Sequence, residues 1–205
     1  MTHMTAISDN PYRLKIEPIE ALPTPELLAR YRAGLENFDR RLFELSDEQA
    51  DQAFVPEAEV GRWPVRTLVG HLADAELVFT HRMRKAVAEE NPLVSPWDEN
   101  AFIDAGLYDG GQHPVPAFVA VIHTLRRFTA SWLQTLSDDQ LARRIMHPQW
   151  GELSVRRMLA MTTHHLEHHA RFLNAKISRI LGPAPAEDPA PPAGGCGPAC
   201  GCHKR

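Results

Sequence analysis

The stretch VRRMLAMTTHHLEHHARFLNAKISRIL, Val155 to Leu181, decides the fold. Placed at about 100° per residue, Val155, Leu159, Thr162, Leu166, Leu173, Ile177 and Ile180 fall on one arc, the signature of an amphipathic helix with one buried face. Ser154 supplies an N-cap oxygen, and Gly182-Pro183 stops the helix. A helix this long cannot stand alone in water, so it needs partner helices.

Three partners follow from the same periodicity. Pro25 sits at the start of a helix over about 25–45, with Leu27, Leu28, Tyr31, Leu35, Phe38, Leu42 and Leu45 on its stripe. A second runs from about Pro64 to Glu89 through Leu68, Leu72, Ala75, Phe79, Met83 and Ala86. The third spans Pro116 to Leu136, carries Phe118, Val121, Ile122, Leu125, Phe128 and Trp132, and is followed by a short helix capped at Ser137. Strand signals are almost absent, and His147 to Gly151 reads as a turn. Between the second and third helices, Asn91 to His113 is too long for a simple connector and reads as a crossover or lid. The expectation is an all-α four-helix bundle over residues 25–182. An extended arm, 1–24, precedes it, broken by Pro11, Pro18 and Pro23. A disordered Pro/Ala/Gly linker with a cysteine-rich end, 183–205, follows.

With 22 Lys+Arg against 26 Asp+Glu in 205 residues, the charge of −4 argues against nucleic-acid partners and points to a small-molecule substrate. No apolar run is long enough for a membrane span, and the first residues lack a targeting pattern, so a cytoplasmic protein is expected. All three cysteines lie in the last ten residues and cannot staple a core. Chemistry should therefore reside among the 11 histidines.

His-His-Leu-Glu-His-His at 164–169 offers two i, i+4 pairs. His165 and His169 lie roughly 40–80° from the centre of the apolar arc, whereas His164 and His168 lie about 140° away and read as solvated. On the second helix His71 flanks the stripe and His81 falls nearly opposite. His71, His165 and His169 thus form a three-imidazole set for one divalent metal, with the remaining positions open. Zinc is the expected ion, and nickel or another divalent ion is compatible. The HExxH pattern is absent, because Glu167 follows His165 by two residues. His81, His113, His123 and His147 read as surface or turn residues.

The segment Gly61-Arg-Trp-Pro-Val-Arg-Thr-Leu-Val-Gly-His71-Leu-Ala-Asp74, together with His165-Leu-Glu-His-His169, resembles the two helix motifs of the DinB-like superfamily, closest to the YfiT-like bacillithiol transferases, also described as metal-dependent hydrolases. Asn91-Pro92, Pro96-Trp-Asp-Glu99, the helix around Arg126-Arg127 and His147-Pro148 with Gly151 extend the likeness over about residues 25–181. The resemblance implies an up-down-down-up bundle, a homodimer, and a metal on the same three histidines that the helical wheels select. Pro64 in place of the usual Ser, Phe172 and the cysteine tail depart from the pattern.

A divalent ion on three neutral imidazoles keeps its full charge and lowers the pKa of a bound water or thiol. The resemblance favours activation of a low-molecular-weight thiol of the bacillithiol type, as co-substrate, for transfer to an electrophile. Hydrolysis is the alternative, and a non-enzymatic metal-binding stress-response module is a third reading. Asp98 and Glu99 are candidates for contacting a thiol's amino group or moving a proton, against a reading as ordinary exposed acids. Asp74 is either an outer partner of a ligand histidine or a surface residue. Arg126 and Arg127 read as an exposed pair that could meet an anion. Cys196, Cys200, Cys202 and His203 could wrap a second, soft metal ion, against the reading of an inert end.

Overall fold

The computed structural model describes residues 11–110 and 113–184. Helices are α1 (Pro11–Glu20), α2 (Thr24–Arg32), α3 (Asp47–Ala50), α4 (Val65–Ala88), α5 (Glu99–Asp104), α6 (Val115–Leu133), α7 (Asp138–Leu141) and α8 (Val155–Leu181), and a hairpin of β1 (Arg144–His147) and β2 (Gly151–Ser154) precedes α8. Four helices, α2, α4, α6 and α8, make the bundle. Among the described residues no helix is long and apolar enough to cross a membrane. The cysteine-rich end, with Cys196, Cys200, Cys202 and His203, lies outside the described residues.

Residue pairs fix the direction of each helix. Thr162 meets Glu76 and Lys176 meets Gly61, so α4 and α8 are antiparallel. Glu76 meets Arg126 and Thr80 meets Thr129, so α4 and α6 run parallel. Thr24 meets Arg156 and Arg30 meets Glu167, which makes α2 and α8 parallel as well. The order is up-down-down-up. Because consecutive helices α4 and α6 point the same way, the chain must return along the 24-residue α4, about 36 Å of helix. Residues 89–110 and 113–114 belong to that crossover.

The crossover is pinned along its length. Met146 of β1 exchanges backbone hydrogen bonds with Pro92 and Val94, Arg82 donates to the Ser95 carbonyl at 2.8 Å, and Arg66 donates to the His113 carbonyl at 2.9 Å. Near its far end Tyr108 lies flat on α4: a Cβ on Gly70 would stand 2.4 Å from the Tyr108 ring. The Tyr108 hydroxyl donates to Asp74 at 2.6 Å.

Several boundaries follow the sequence. Ser154 caps α8 by accepting the Arg157 N–H, Ser137 and Gln140 form a reciprocal cap on α7, and Gly182 ends α8 at φ 83°. Three expectations are corrected. The arm is not extended throughout, since residues 11–20 are helical and bury Ile16 and Ile19 against α8. Pro18 falls inside that helix. The first bundle helix stops at Arg32, not near 45, and continues as 3-10 turns over Gly34–Asn37 and Arg40–Glu44. Gly34, a poor helix former, stands just past this end, and its absent Cβ leaves room for the Arg126 guanidinium; a Cβ there would be 2.1 Å from Nη1. Finally, residues 144–154 form a true antiparallel hairpin, Ile145 opposite Leu153, rather than a bare turn.

The centre of the bundle is polar. Arg126 Nε donates to Glu76 at 2.8 Å, and its two Nη groups donate to the Tyr31 and Thr162 carbonyls. Glu76 also accepts from the Tyr31 hydroxyl and from Thr162. All four bundle helices meet in this network, and its members are essentially inaccessible. Arg126 is thus a buried structural cation rather than an exposed anion binder, while Arg127 is exposed. The buried face of α6 runs through Val115, Ile122, Arg126, Thr129, Ala130 and Leu133, rotated by roughly 90° from the apolar stripe. Phe128 of that stripe is 52% exposed, under the Arg84 guanidinium.

Candidate metal centre

His71 projects from the first half of α4, and His165 and His169 project one turn apart from the middle of α8. Leu68 and Leu72 of α4, packing with Leu166, Ala170 and Leu173 of α8, hold the two helices together beside them. The antiparallel approach brings the three rings to one point. Nε2 of His71 lies 3.1 Å from Nε2 of His165. One nitrogen from each of the three residues lies within 4.8 Å of the others. Two imidazole nitrogens sharing one cation at about 2.0–2.1 Å stand about 3 Å apart, so the cluster suits a single divalent ion. Among the described residues the group contains no carboxylate or thiolate.

Burial prepares these rings. His71 is 1% exposed, and His165 and His169 are half-buried. Desolvation pushes the His71 pKa down to about 4 and, with the neighbouring imidazoles, that of His169 to about 3. Burial also holds His165 well below the usual histidine range, reinforced by His169 and His71. All three are therefore neutral near pH 7, the form that binds metals.

Two indoles wall the cluster. Trp97 of the crossover stacks on His71 at 5.3 Å and 14°. Trp63, just before α4, lies 5.0 Å from His71 and stacks on His169 at 6.2 Å. Lys176 of α8 donates to the Gly61 carbonyl at 2.7 Å and so ties down the strap that carries Trp63. Both tryptophans stand within the motifs that carry the family resemblance, yet their role as walls is visible only once the crossover is folded back over α4.

The acidic candidates separate. Asp98 accepts the Asn100 and Ala101 N–H groups and caps α5, which leaves it a structural task. Glu99, next in the chain, places a carboxylate oxygen 3.8 Å from His71 Nδ1. Burial and Asp98 raise its pKa. Asp74 is not an outer partner of a ligand histidine, because it binds the Tyr108 hydroxyl. Burial and this carboxylate raise the pKa of Tyr108.

Three histidine readings change. His164 is 8% exposed rather than solvated, because α1 covers that side of α8 and brings Lys15 close. His168, half-buried, packs edge-on to Phe172. His147 is buried in the hairpin, where its Nδ1 accepts the Gln149 N–H. His81, His113 and His123 are exposed, in line with their reading as surface or turn residues. Glu167 makes a two-point ion pair with Arg30 and is occupied away from the cluster.

Comparison with known proteins places the chain. A protein of Oceanobacillus iheyensis named "Putative metal-dependent hydrolase" is 30% identical over 138 residues, covering 67% of this chain and 76% of the relative. "Putative metal-dependent hydrolase YfiT" of Bacillus subtilis is 29% identical over 139 residues, 67% of this chain and 74% of its own. The solved YfiT structure, described as a probable metal-dependent hydrolase with an unusual four-helix bundle topology, superimposes with a TM-score of 0.58 at 23% identity, covering 89% of this chain and 94% of that one. A mycothiol-dependent maleylpyruvate isomerase superimposes with a TM-score of 0.58 at 20% identity, over 76% of this chain and 62% of its own. The profile of the DinB superfamily matches residues 20–173, more than half of the sequence, and the chain belongs to that superfamily.

Proposed function

We propose that His71, His165 and His169 hold one divalent metal ion, zinc, and that the protein is an enzyme joining a low-molecular-weight thiol to an electrophilic carbon. The observation that carries this reading is the convergence of three neutral imidazoles with no carboxylate or thiolate in the group. A divalent ion bound there supplies an uncompensated positive charge that lowers the pKa of a thiol or water in its open positions. The chain's own residues do the rest. Trp63 and Trp97 exclude water from one side and offer apolar faces to a substrate, and the half-buried His165 and His169 leave an approach open. No cysteine precedes Cys196, so the bundle offers no sulfur nucleophile of its own, in keeping with a thiol supplied as co-substrate. The thiol dependence in the name of the mycothiol-dependent neighbour supports this order. The names of the bacillary relatives favour a second reading, hydrolysis at the same centre.

The test uses the full chain with Cys196, Cys200 and Cys202 changed to Ser, so that the tail neither binds zinc nor reacts. Zinc-loaded protein, given bacillithiol, mycothiol, glutathione or cysteine with an epoxide or alkyl chloride, should form conjugate above the uncatalysed rate, and chelation should abolish the excess. Zinc-dependent cleavage of ester or amide substrates with no conjugation by any thiol would reverse the two readings.

A pH dependence follows from the burial of the rings. Protons compete for a free imidazole below about pH 6.5, but here His71 and His169 take up protons only near 4 and 3. Zinc affinity should therefore be nearly flat from pH 7 to pH 5, where a solvent-exposed three-histidine site would lose much of it. The metal-free fold behaves differently. Between about pH 6.5 and 4 the unfolded chain binds more protons than the folded one, so stability should fall as pH drops through that window. Chelator competition at stepped pH, with urea unfolding of the metal-free protein, separates the two effects.

A further inference from the structure

The outer side of His71 carries a second arrangement. Nε2 of His71 faces His165, so in a metal-holding cluster the ring's proton resides on Nδ1. That nitrogen is buried and has no hydrogen-bond partner. A buried N–H without an acceptor is costly, and structures rarely keep one. The nearest carboxylate is Glu99, 3.8 Å away, less than an ångström beyond hydrogen-bond range. Other acids nearby are engaged elsewhere: Asp98 caps α5 and Asp74 holds Tyr108.

Resting on the metal reading above, we propose that Glu99 is the positioning residue of His71. It accepts the Nδ1–H, fixes the tautomer that leaves Nε2 free to ligate, and thereby couples closure of the crossover to metal binding. The placement of Glu99 is built in rather than accidental. Asp98 holds the first turn of α5 by two backbone bonds, and Trp97, one residue before, stacks on the same His71 ring. On either side of this segment the crossover is tied to Arg82 and to Asp74. A small inward shift of α5 completes the bond without disturbing these anchors. A carboxylate on the far nitrogen also raises the ring's basicity toward the metal.

The experiment compares the Cys196→Ser, Cys200→Ser, Cys202→Ser chain with the same chain carrying Glu99→Ala, Glu99→Gln or His71→Ala. The Glu99 side chain is 45% exposed, so its loss should leave the metal-free melting temperature within a degree or two. Zinc affinity, measured by chelator competition, should fall about 10–100-fold in Glu99→Ala, and Glu99→Gln, which keeps an acceptor oxygen, should recover part of that loss. Nitrogen-15 NMR of the zinc form should show a slowly exchanging His71 Nδ1–H that disappears in Glu99→Ala. Affinity within twofold of the parent in Glu99→Ala, while His71→Ala loses zinc, would overturn the positioning role alone. A change in ligand number at bound Co2+ on Glu99→Ala would make Glu99 a ligand and overturn it too. Unchanged zinc binding in His71→Ala would instead remove the metal reading on which it rests.

Discussion

Replacing Arg126 by alanine is expected to destabilise the fold by about 3–5 kcal/mol, the cost of stranding a buried charge. For a domain of this size that corresponds to a melting temperature lower by roughly 6–20 °C. The reason is the position of Glu76. Its carboxylate is 2% exposed and receives Arg126, Thr162 and the Tyr31 hydroxyl. Without Arg126 the two neutral donors remain and the charge is uncompensated. The Tyr31 and Thr162 carbonyls would also lose the donors that join α2 and α8 to α6. A double substitution, Arg126→Met with Glu76→Leu, should cost much less than the sum of the two single changes, because it removes both charges and keeps the volume. Urea unfolding of the four proteins measures the coupling. Near-additive effects would mean that the pair is not the bond that joins the helices.

This network explains which parts of the fold were legible in the sequence. Caps and stops were readable because Ser154, Ser137 and Gly182 act on their own backbone neighbourhood. The three inward histidines were readable because i, i+4 spacing and an apolar arc are local properties of one helix. Arg126 was not. Its charge argues for solvent, and only a carboxylate fifty residues away on a parallel helix reverses that. The same non-local contact goes with the rotated buried face of α6 and with the close approach at Gly34, just past the end of the first helix, where Arg126 needs the space of a missing side chain. Residues 11–20 form the other case. With Pro11 and Pro18 inside ten residues they read as non-helical, yet the helix buries Ile16 and Ile19 on α8, which supplies roughly 1.5–3 kcal/mol for each side chain. Missing that helix is also what put His164 in solvent.

His71→Ala, His165→Ala and His169→Ala should each reduce zinc affinity by more than the 10–100-fold typical of losing an outer partner, while His164→Ala and His168→Ala should leave it within a few-fold. The contrast is informative because His164 and His165 are adjacent in sequence, and both are withdrawn from water. They differ in what surrounds them. His165 faces the other two rings of the cluster. His164 lies under α1, where burial first, and then His168, Lys15 and Arg171, lower its pKa against the opposing pull of Glu167. His164 thus sits away from the three-ring cluster, whereas His165 presents its ring to His71 and His169. Removing His164 should instead appear as a loss of stability through its packing against α1. In the metal-free protein, His71→Ala should be tolerated better than Arg126→Ala, because it removes a buried imidazole whose Nδ1 has no hydrogen-bond partner rather than stranding a buried charge. Metal content after zinc loading, read beside the melting temperature of the same metal-free samples, distinguishes these outcomes. Equal loss of zinc in His164→Ala and His165→Ala, with equal melting temperatures, would place the ligands on the wrong face of α8.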